Sequence, residues 1–284
     1  MNIFSYCIVV AARKVGVHSL RPLREKKGNV LVVGIPGGPG ISGRYLDSFV
    51  AEISAKLNCN GVVFDLPNHG DKAQTELISE ARYPAVVEAL GEALGELGEN
   101  RLLLVGHSYG ARLALDLMGA GSFNLIGGIL LSLPTSWGSS PRFKDGIRAM
   151  GLSEVKIDQE SDFKSYWRKI LPLYFSSGVP SVSAEIALTT KTFWKASQKM
   201  TEGLPTLDLT ATALANRRQV PILYLEGDED ARLPAGNMGT LQNAFPFWDY
   251  HLLSNCGHFP MIERPVETLA EAGEFISKIG IGKL

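Results

Sequence analysis

Gly106-His107-Ser108-Tyr109-Gly110 joins an apolar run, residues 102–105, to a run with Ala111, Leu113, Ala114, Leu117 and Met118 at helical spacing. A short apolar run followed at once by helical periodicity reads as a strand turning into a helix. A serine held in that turn adopts a strained backbone that pushes its hydroxyl out of the sheet, and small residues are needed two positions to either side, where strand and helix close on each other. Gly106 and Gly110 meet the requirement. Ser108 is therefore a candidate nucleophile. The plainer alternative is a turn serine bonded only to the backbone.

Outward from this turn the pattern repeats. Apolar runs recur at 30–35, 62–64, 129–131 and 222–225, several of them ending in Gly, Asp or Pro. Runs apolar on both faces suit the central strands of a parallel sheet. Between them lie helical patterns: Leu46, Phe49, Val50, Ile53 and Leu57; Val86, Leu90, Leu94 and Leu97; and, after Pro265, Val266, Leu269, Ala272, Phe275, Ile276 and Ile279. Alternation of this kind predicts a doubly wound, mostly parallel α/β sheet. It breaks at 134–214, a stretch rich in Ser, aromatic and basic residues with helical patches at 163–173 and 184–200. The expected organisation is one α/β core, residues 1–133 and 215–284, roofed by a helical insertion at 134–214. Residues 3–12 alternate and read as a first strand; no basic residue precedes them, as a signal segment would require.

A serine hydroxyl is a weak nucleophile unless an oriented base takes its proton. There are five histidines. His107 adjoins Ser108 and is turned elsewhere by the elbow. His18 and His251 fall within strand-like runs, and His69 follows the run at 62–64. His258 lies in a loop between the last strand, 247–252, and the last helix, at the carboxyl edge where open α/β sheets build their sites. His258 is the expected base. The orienting acid should follow a late strand, where Glu226-Gly227-Asp228-Glu229-Asp230 offers three candidates. Glu226 still belongs to the strand end. Asp230 is favoured, because it stands farther out on the loop, and Asp228 is its alternative. An oxyanion needs backbone N–H donors. The expected pair is the amide of Tyr109 and that of Gly38, in the loop Pro36-Gly37-Gly38-Pro39-Gly40.

The totals exclude several functions. Hydrophobic residues make up 45% of the chain and charged residues 20%, and the formal net charge is −1. That is globular composition without the basic surplus a nucleic-acid partner needs. No segment reads as membrane-spanning. Cys7, Cys59 and Cys256 are too sparse for a disulfide framework and point to a reducing, cytoplasmic setting. Neither a metal-ligand spacing nor a dinucleotide fingerprint is present, so no cofactor is implied. Oligomeric state is not legible.

Taken together, Gly106–Gly110, the Gly37-Gly38-Pro39-Gly40 loop, Asp65-Leu66-Pro67-Asn68-His69-Gly70, the segment 227–234, and Gly257-His258 followed by Glu263 and Pro265 resemble the α/β-hydrolase superfamily over nearly the whole chain. The order Ser108, Asp230, His258 is the order that superfamily uses. The resemblance implies the α/β-hydrolase fold with a helical cap that sets specificity. The Gly-Gly-Pro-Gly loop with Ile41-Ser42-Gly43-Arg44-Tyr45-Leu46, and Leu207-Asp208-Leu209-Thr210, are similar to the prolyl iminopeptidases. Pro36, His107 and the 65–70 loop depart from that subfamily, and the forms at 65–70 and 106–110 look more like capped ester, thioester or carbon–carbon bond hydrolases.

The expectation is a serine hydrolase acting on a small molecule or short peptide. Trp137, Trp167, Phe193 and Trp194, with Tyr174 and Phe175, are candidate walls of an apolar pocket. An aminopeptidase would instead use cap acids such as Asp158, Glu160, Asp162 or Glu185 to hold a free amine. A ligand receptor or a non-hydrolytic catalyst that kept the fold is a third class.

Overall fold

A computed structural model of the chain describes residues 17–19, 30–67, 69, 82–98, 100–120, 123–136, 140–176, 191–201, 207–209 and 220–280. The strand expected at 3–12, Cys7, Trp137 and Glu185 lie outside the described residues.

Seven strands form one sheet: β1 (Val17–Ser19), β2 (Val30–Ile35), β3 (Asn60–Phe64), β4 (Arg101–His107), β5 (Leu125–Leu131), β6 (Ile222–Gly227) and β7 (Asp249–Leu253). Their spatial order is β1-β3-β2-β4-β5-β6-β7. Only β1 runs antiparallel, against β3; every other neighbouring pair is parallel. Successive side chains of a strand point to opposite faces, and the apolar runs accordingly feed two cores. Leu31, Val33, Ile35, Leu102 and Leu104 go to one face, while Val32, Leu103, Val105, Ile129 and Leu131 go to the other. Each buried Leu, Ile or Val contributes roughly 1.5–3 kcal/mol by leaving water.

Helices cover both faces. α1 (Asp47–Lys56) and the last helix, α9 (Pro265–Lys278), pack together on one side; α2 (Tyr83–Gly95) and α3 (Tyr109–Ala120) pack on the other. The periodic residues expected inward are inward, with one exception. Val266 is exposed, because the buried stripe of α9 runs through Thr268, Ala272, Phe275 and Ile276, and Val266 falls off it.

Three helices of the stretch at 134–214 are described: α4 (Pro141–Ala149), α5 (Glu160–Ile170) and α6 (Trp194–Thr201). α5 continues as a 3₁₀ turn, Leu171–Tyr174. α4 was not expected, although its start is written in the sequence: Pro141 stands at the first helical position and the Ser140 hydroxyl accepts the Phe143 N–H. The segment before α6 is stitched to the loop after β2, since Ser42 N–H donates to the Lys191 carbonyl (2.9 Å) and Phe193 N–H to the Gly40 carbonyl (2.8 Å). The chain after α5 is tied to the loop after β7, where His258 N–H donates to the Tyr174 carbonyl at 2.6 Å. The remaining helices, α7 (Asn237–Ala244) and α8 (Pro260–Glu263), follow β6 and β7. No helix among the described residues is long and apolar enough to cross a membrane.

Candidate active site

Parallel strands put their carboxyl ends at one edge, and the loops after β2, β4, β6 and β7 meet there. Ser108 follows β4 directly with φ of 53°, a left-handed backbone value that costs strain in a non-glycine residue. The elbow is tight. A methyl group on Gly110 would lie 2.1 Å from the Ile35 carbonyl oxygen, and one on Gly106 2.6 Å from Ala111 Cα. Ser108 therefore holds its position against two neighbouring backbones.

Ser108 Oγ lies 2.9 Å from His258 Nε2, and His258 Nδ1 lies 2.7 Å from Asp230 Oδ2. With Asp230 accepting, the Nδ1 proton is fixed there and Nε2 faces the serine as an acceptor. The other oxygen of Asp230 accepts the Arg232 N–H at 2.8 Å. Asp228 turns away and accepts the Cys256 N–H at 3.3 Å. Glu226 is buried beneath, receiving hydrogen bonds from Tyr224 and Asn237; burial pushes its carboxyl above the ordinary range. Thus Asp230 alone of the three acids reaches the imidazole. The His258 loop is held by one buried carboxylate: Glu263 accepts N–H bonds from Gly257 (3.0 Å), Phe259 (3.2 Å) and, from the roof, Ser176 (2.8 Å).

The alpha/beta hydrolase family model matches residues 30–272. The chain belongs to that family. No protein of curated function matches the sequence. Among solved structures, the bromoperoxidase of Bacillus anthracis superposes with a TM-score of 0.69 at 17% identity, covering 93% of this chain and 94% of that one. MenH from S. aureus gives 0.69 at 22%, covering 93% and 98%. A thermophilic esterase from Thermogutta terrifontis gives 0.67 at 19%, covering 93% of each. At these identities the likeness establishes a shared alpha/beta hydrolase fold.

Within this alpha/beta hydrolase, the loop after β2 is anchored on both sides of Gly38. The Gly37 N–H donates to the Tyr45 hydroxyl (2.5 Å), and the Gly40 N–H donates to His69 Nε2 (2.7 Å). Gly38 lies between them, lines the cavity, and donates to no acceptor among the described residues. Tyr109, the other expected donor, opens α3 one residue after Ser108, at the positive end of a helix. Two histidines without an expected role complete the frame. Tyr45 accepts from Gly37, so its own proton goes to His107 Nδ1, 2.7 Å away, and His107 Nε2–H donates to the His258 carbonyl at 2.7 Å. Burial, and secondarily His258, hold the His107 imidazole well below the ordinary histidine range. One unbroken path therefore joins the loop after β2 to the His258 backbone. No spacing in the sequence announces it, because its members come from three distant segments.

His69 is the other anchor. Its Nδ1–H donates to the Pro67 carbonyl (2.8 Å), leaving Nε2 to accept from Gly40. Burial pushes its imidazole down to about 4. Between that value and the ordinary ~6.5 the unfolded chain takes up a proton that the folded one refuses, so stability rises with pH across the window. The contribution is complete above pH ~6.5 and is lost as pH falls toward 4. The slope is about 1.4 kcal/mol per pH unit, or about 3 kcal/mol in all. His69→Gln keeps an acceptor for Gly40 but does not titrate. Urea unfolding at pH 7 and pH 4.5 should show a smaller acid loss in the variant than in wild type; equal losses would remove His69 from the account.

A cavity of about 260 Å³ opens onto Ser108 and His258. That volume is below the usual range for drug-sized ligands. α5 contributes Phe163, Trp167 and Ile170, α6 contributes Ser197 and Thr201, and Tyr174, Phe259 and Arg232 close the walls. Of the aromatic residues expected to line it, Trp167 and Tyr174 do. Phe193 instead packs its ring against His69 (5.0 Å between centroids), Phe175 stacks on Phe259, and the main-chain N–H of Trp194, at the start of α6, donates to the Glu160 carboxylate. None of these three lines the cavity; for Phe193 and Trp194 the stitch between Gly40 and Phe193 ties their segment to the loop after β2. Asp158 and Glu160 are exposed, Asp162 is half-buried, and none of the three lines the cavity. No cluster of metal-ligating side chains occurs among the described residues.

Proposed function

We propose that the protein is a serine hydrolase that cleaves a small-molecule ester, thioester or amide through an acyl-enzyme. The observation that carries the reading is the hydrogen-bonded line from Ser108 through His258 to Asp230, opening onto a cavity that α5 and α6 help to line. Ser108 Oγ attacks the substrate carbonyl while its proton passes to His258 Nε2. Asp230 stabilises the imidazolium. The carbonyl oxygen gains the negative charge and is held by the amides of Gly38 and Tyr109. Collapse expels the leaving group, which takes the proton from Nε2. Water then repeats the sequence on the acyl-enzyme, returning the proton to Ser108.

The core and the helical roof divide at about residues 134 and 214, with the roof setting which carbonyl fits. Cys59 and Cys256 are buried free thiols, which suits a reducing compartment such as the cytoplasm. An aminopeptidase needs a carboxylate facing the substrate amine, and none of Asp158, Glu160 and Asp162 lines the cavity.

An alkyl fluorophosphonate should form a single adduct, on Ser108, and none on Ser108→Ala. Wild type should also turn over a short-chain acyl ester in preference to a proline arylamide. Folded wild type that resists the fluorophosphonate would sink the hydrolase reading. Arylamide turnover dependent on Ser108 would replace it with the aminopeptidase.

A further inference from the structure

One imidazole touches all three parts of the site. His107 precedes Ser108 in the chain, its Nε2 lies 2.7 Å from the His258 carbonyl oxygen, and its Nδ1 lies 2.7 Å from the Tyr45 hydroxyl that holds the Gly37 N–H. The contact with Gly37 is direct as well. A methyl group on Gly37 would stand 2.9 Å from His107 Nδ1 and 3.0 Å from Ser108 Cβ, so the backbone leading into Gly38 lies against the imidazole and the nucleophile together. The Phe259 ring packs against both members of the pair, 5.4 Å from Tyr45 and 5.0 Å from His107 between centroids.

The direction of these hydrogen bonds is forced. A carbonyl oxygen can only accept, so His107 Nε2 carries the proton. A neutral imidazole has no second one, so Nδ1 accepts and the Tyr45 hydroxyl donates, keeping a lone pair for the Gly37 N–H. Burial keeps the imidazole neutral and the phenol protonated, pushing the first well below the ordinary histidine range and the second above the ordinary tyrosine range. The relay therefore stands in one arrangement at working pH. Its two ends are the parts that must be placed against Ser108: the loop that offers the Gly38 amide, and the residue that offers the base. The other main-chain anchor of His258 among the described residues is the Tyr174 carbonyl, which accepts its N–H.

We infer that Tyr45 and His107 are positioning residues, which set the oxyanion loop and the base against Ser108 as one unit. The inference rests on the serine-hydrolase reading, and adds to it two side chains that take no part in bond making. Cutting the relay at either residue lets the loop and the base shift independently of each other. A misplacement of about 1 Å at the reacting atoms costs about 100-fold in rate. Binding in the cavity should change little, because a phenylalanine at either position keeps a ring against Phe259.

The experiment is the kinetics of inactivation by an alkyl fluorophosphonate, resolved into a saturating rate and a half-saturating concentration. The proteins are wild type, Tyr45→Phe, His107→Phe, the double variant and His107→Gln, each with its melting temperature measured. In the labelling step Ser108 Oγ bonds phosphorus, fluoride leaves and the serine proton passes to His258, so the label reads the base and oxyanion donors that turnover would use. The saturating rate should fall about 10- to 100-fold in each phenylalanine variant, with the half-saturating concentration changed by about twofold at most. The double variant should match the worse single one, because both substitutions cut one relay. His107→Gln should recover most of the loss seen in His107→Phe, since its amide oxygen accepts from Tyr45 while its NH₂ donates to the His258 carbonyl. Equal rates, losses confined to half-saturation, multiplying losses in the double variant, or a glutamine no better than phenylalanine would overturn the relay. If one phenylalanine variant does not fold, the other and His107→Gln decide the question against wild type. Wild type that takes no label refutes the hydrolase reading, whereas wild type labelled no faster than the phenylalanine variants refutes the relay alone.

Discussion

Ser108→Ala should lower turnover of any substrate the protein cleaves by up to about a million-fold, following the behaviour of serine proteases. The reason is specific to the geometry. His258 Nε2 has one partner to deprotonate, the hydroxyl 2.9 Å away, and a methyl group offers neither proton nor lone pair. His258→Ala should cost a similar factor, because an unassisted serine hydroxyl stays protonated. The double variant should then be no worse than either single one, since the residues act as a unit. Asp230→Asn should cost about 10⁴-fold, by letting the imidazole adopt the wrong tautomer. Thermal stability should barely move in Ser108→Ala. Retained turnover, or additive losses in the double variant, would show that these residues are not one machine.

Gly110→Ala should be the most damaging substitution for the fold around the site. The added methyl would stand 2.1 Å from the Ile35 carbonyl oxygen and 2.4 Å from that of Pro36. Both neighbours are backbone at the end of β2, so no side chain can swing aside. The strand end must move, and with it Gly37 and Gly38. Overpacking of this kind costs about 3 kcal/mol. At ~2–4 °C per kcal/mol, the melting temperature should fall by roughly 6–12 °C. Turnover should fall at least 100-fold with it, because a displaced Gly38 amide no longer meets the developing oxyanion. Gly239→Ala is the control. Gly239 lies inside α7 with open space around it, so the same change should stabilise by about 0.5–1 kcal/mol. If Gly110→Ala melts like wild type, the tight-elbow account fails.

Much of the architecture was legible in the chain because it rests on local, repeating physics. The runs at 30–35, 102–105 and 222–225 are apolar at every position, and only strands buried on both faces tolerate that. Ser108 was legible because an elbow writes its steric needs into adjacent residues, Gly106 and Gly110. His258 and Asp230 were legible as positions after late strands. The choice of Asp230 over Asp228 followed from reach along the loop, and the structure shows Asp228 turned onto Cys256.

The roof was the least readable part. Its apolar stripes resemble any small helix pair, and nothing in Phe193 or Trp194 says which way the segment faces. That is decided by the Gly40–Phe193 hydrogen bond, a contact across more than 150 positions of sequence. The same holds for the frame of the site. Tyr45, His69, His107 and Glu263 act through pairings with residues from far along the chain, and no periodicity encodes a partner. The sequence by itself determined the sheet, the helices on both faces, the elbow and the loops that carry Ser108, Asp230 and His258, because burial and sterics act on neighbours in the chain. Tertiary structure alone decided what steadies the loop at Gly38 and which side chains of α5 and α6 line the cavity beside Ser108. Hydrogen bonds and charge act over a few ångströms of space, and only folding brings those atoms within reach.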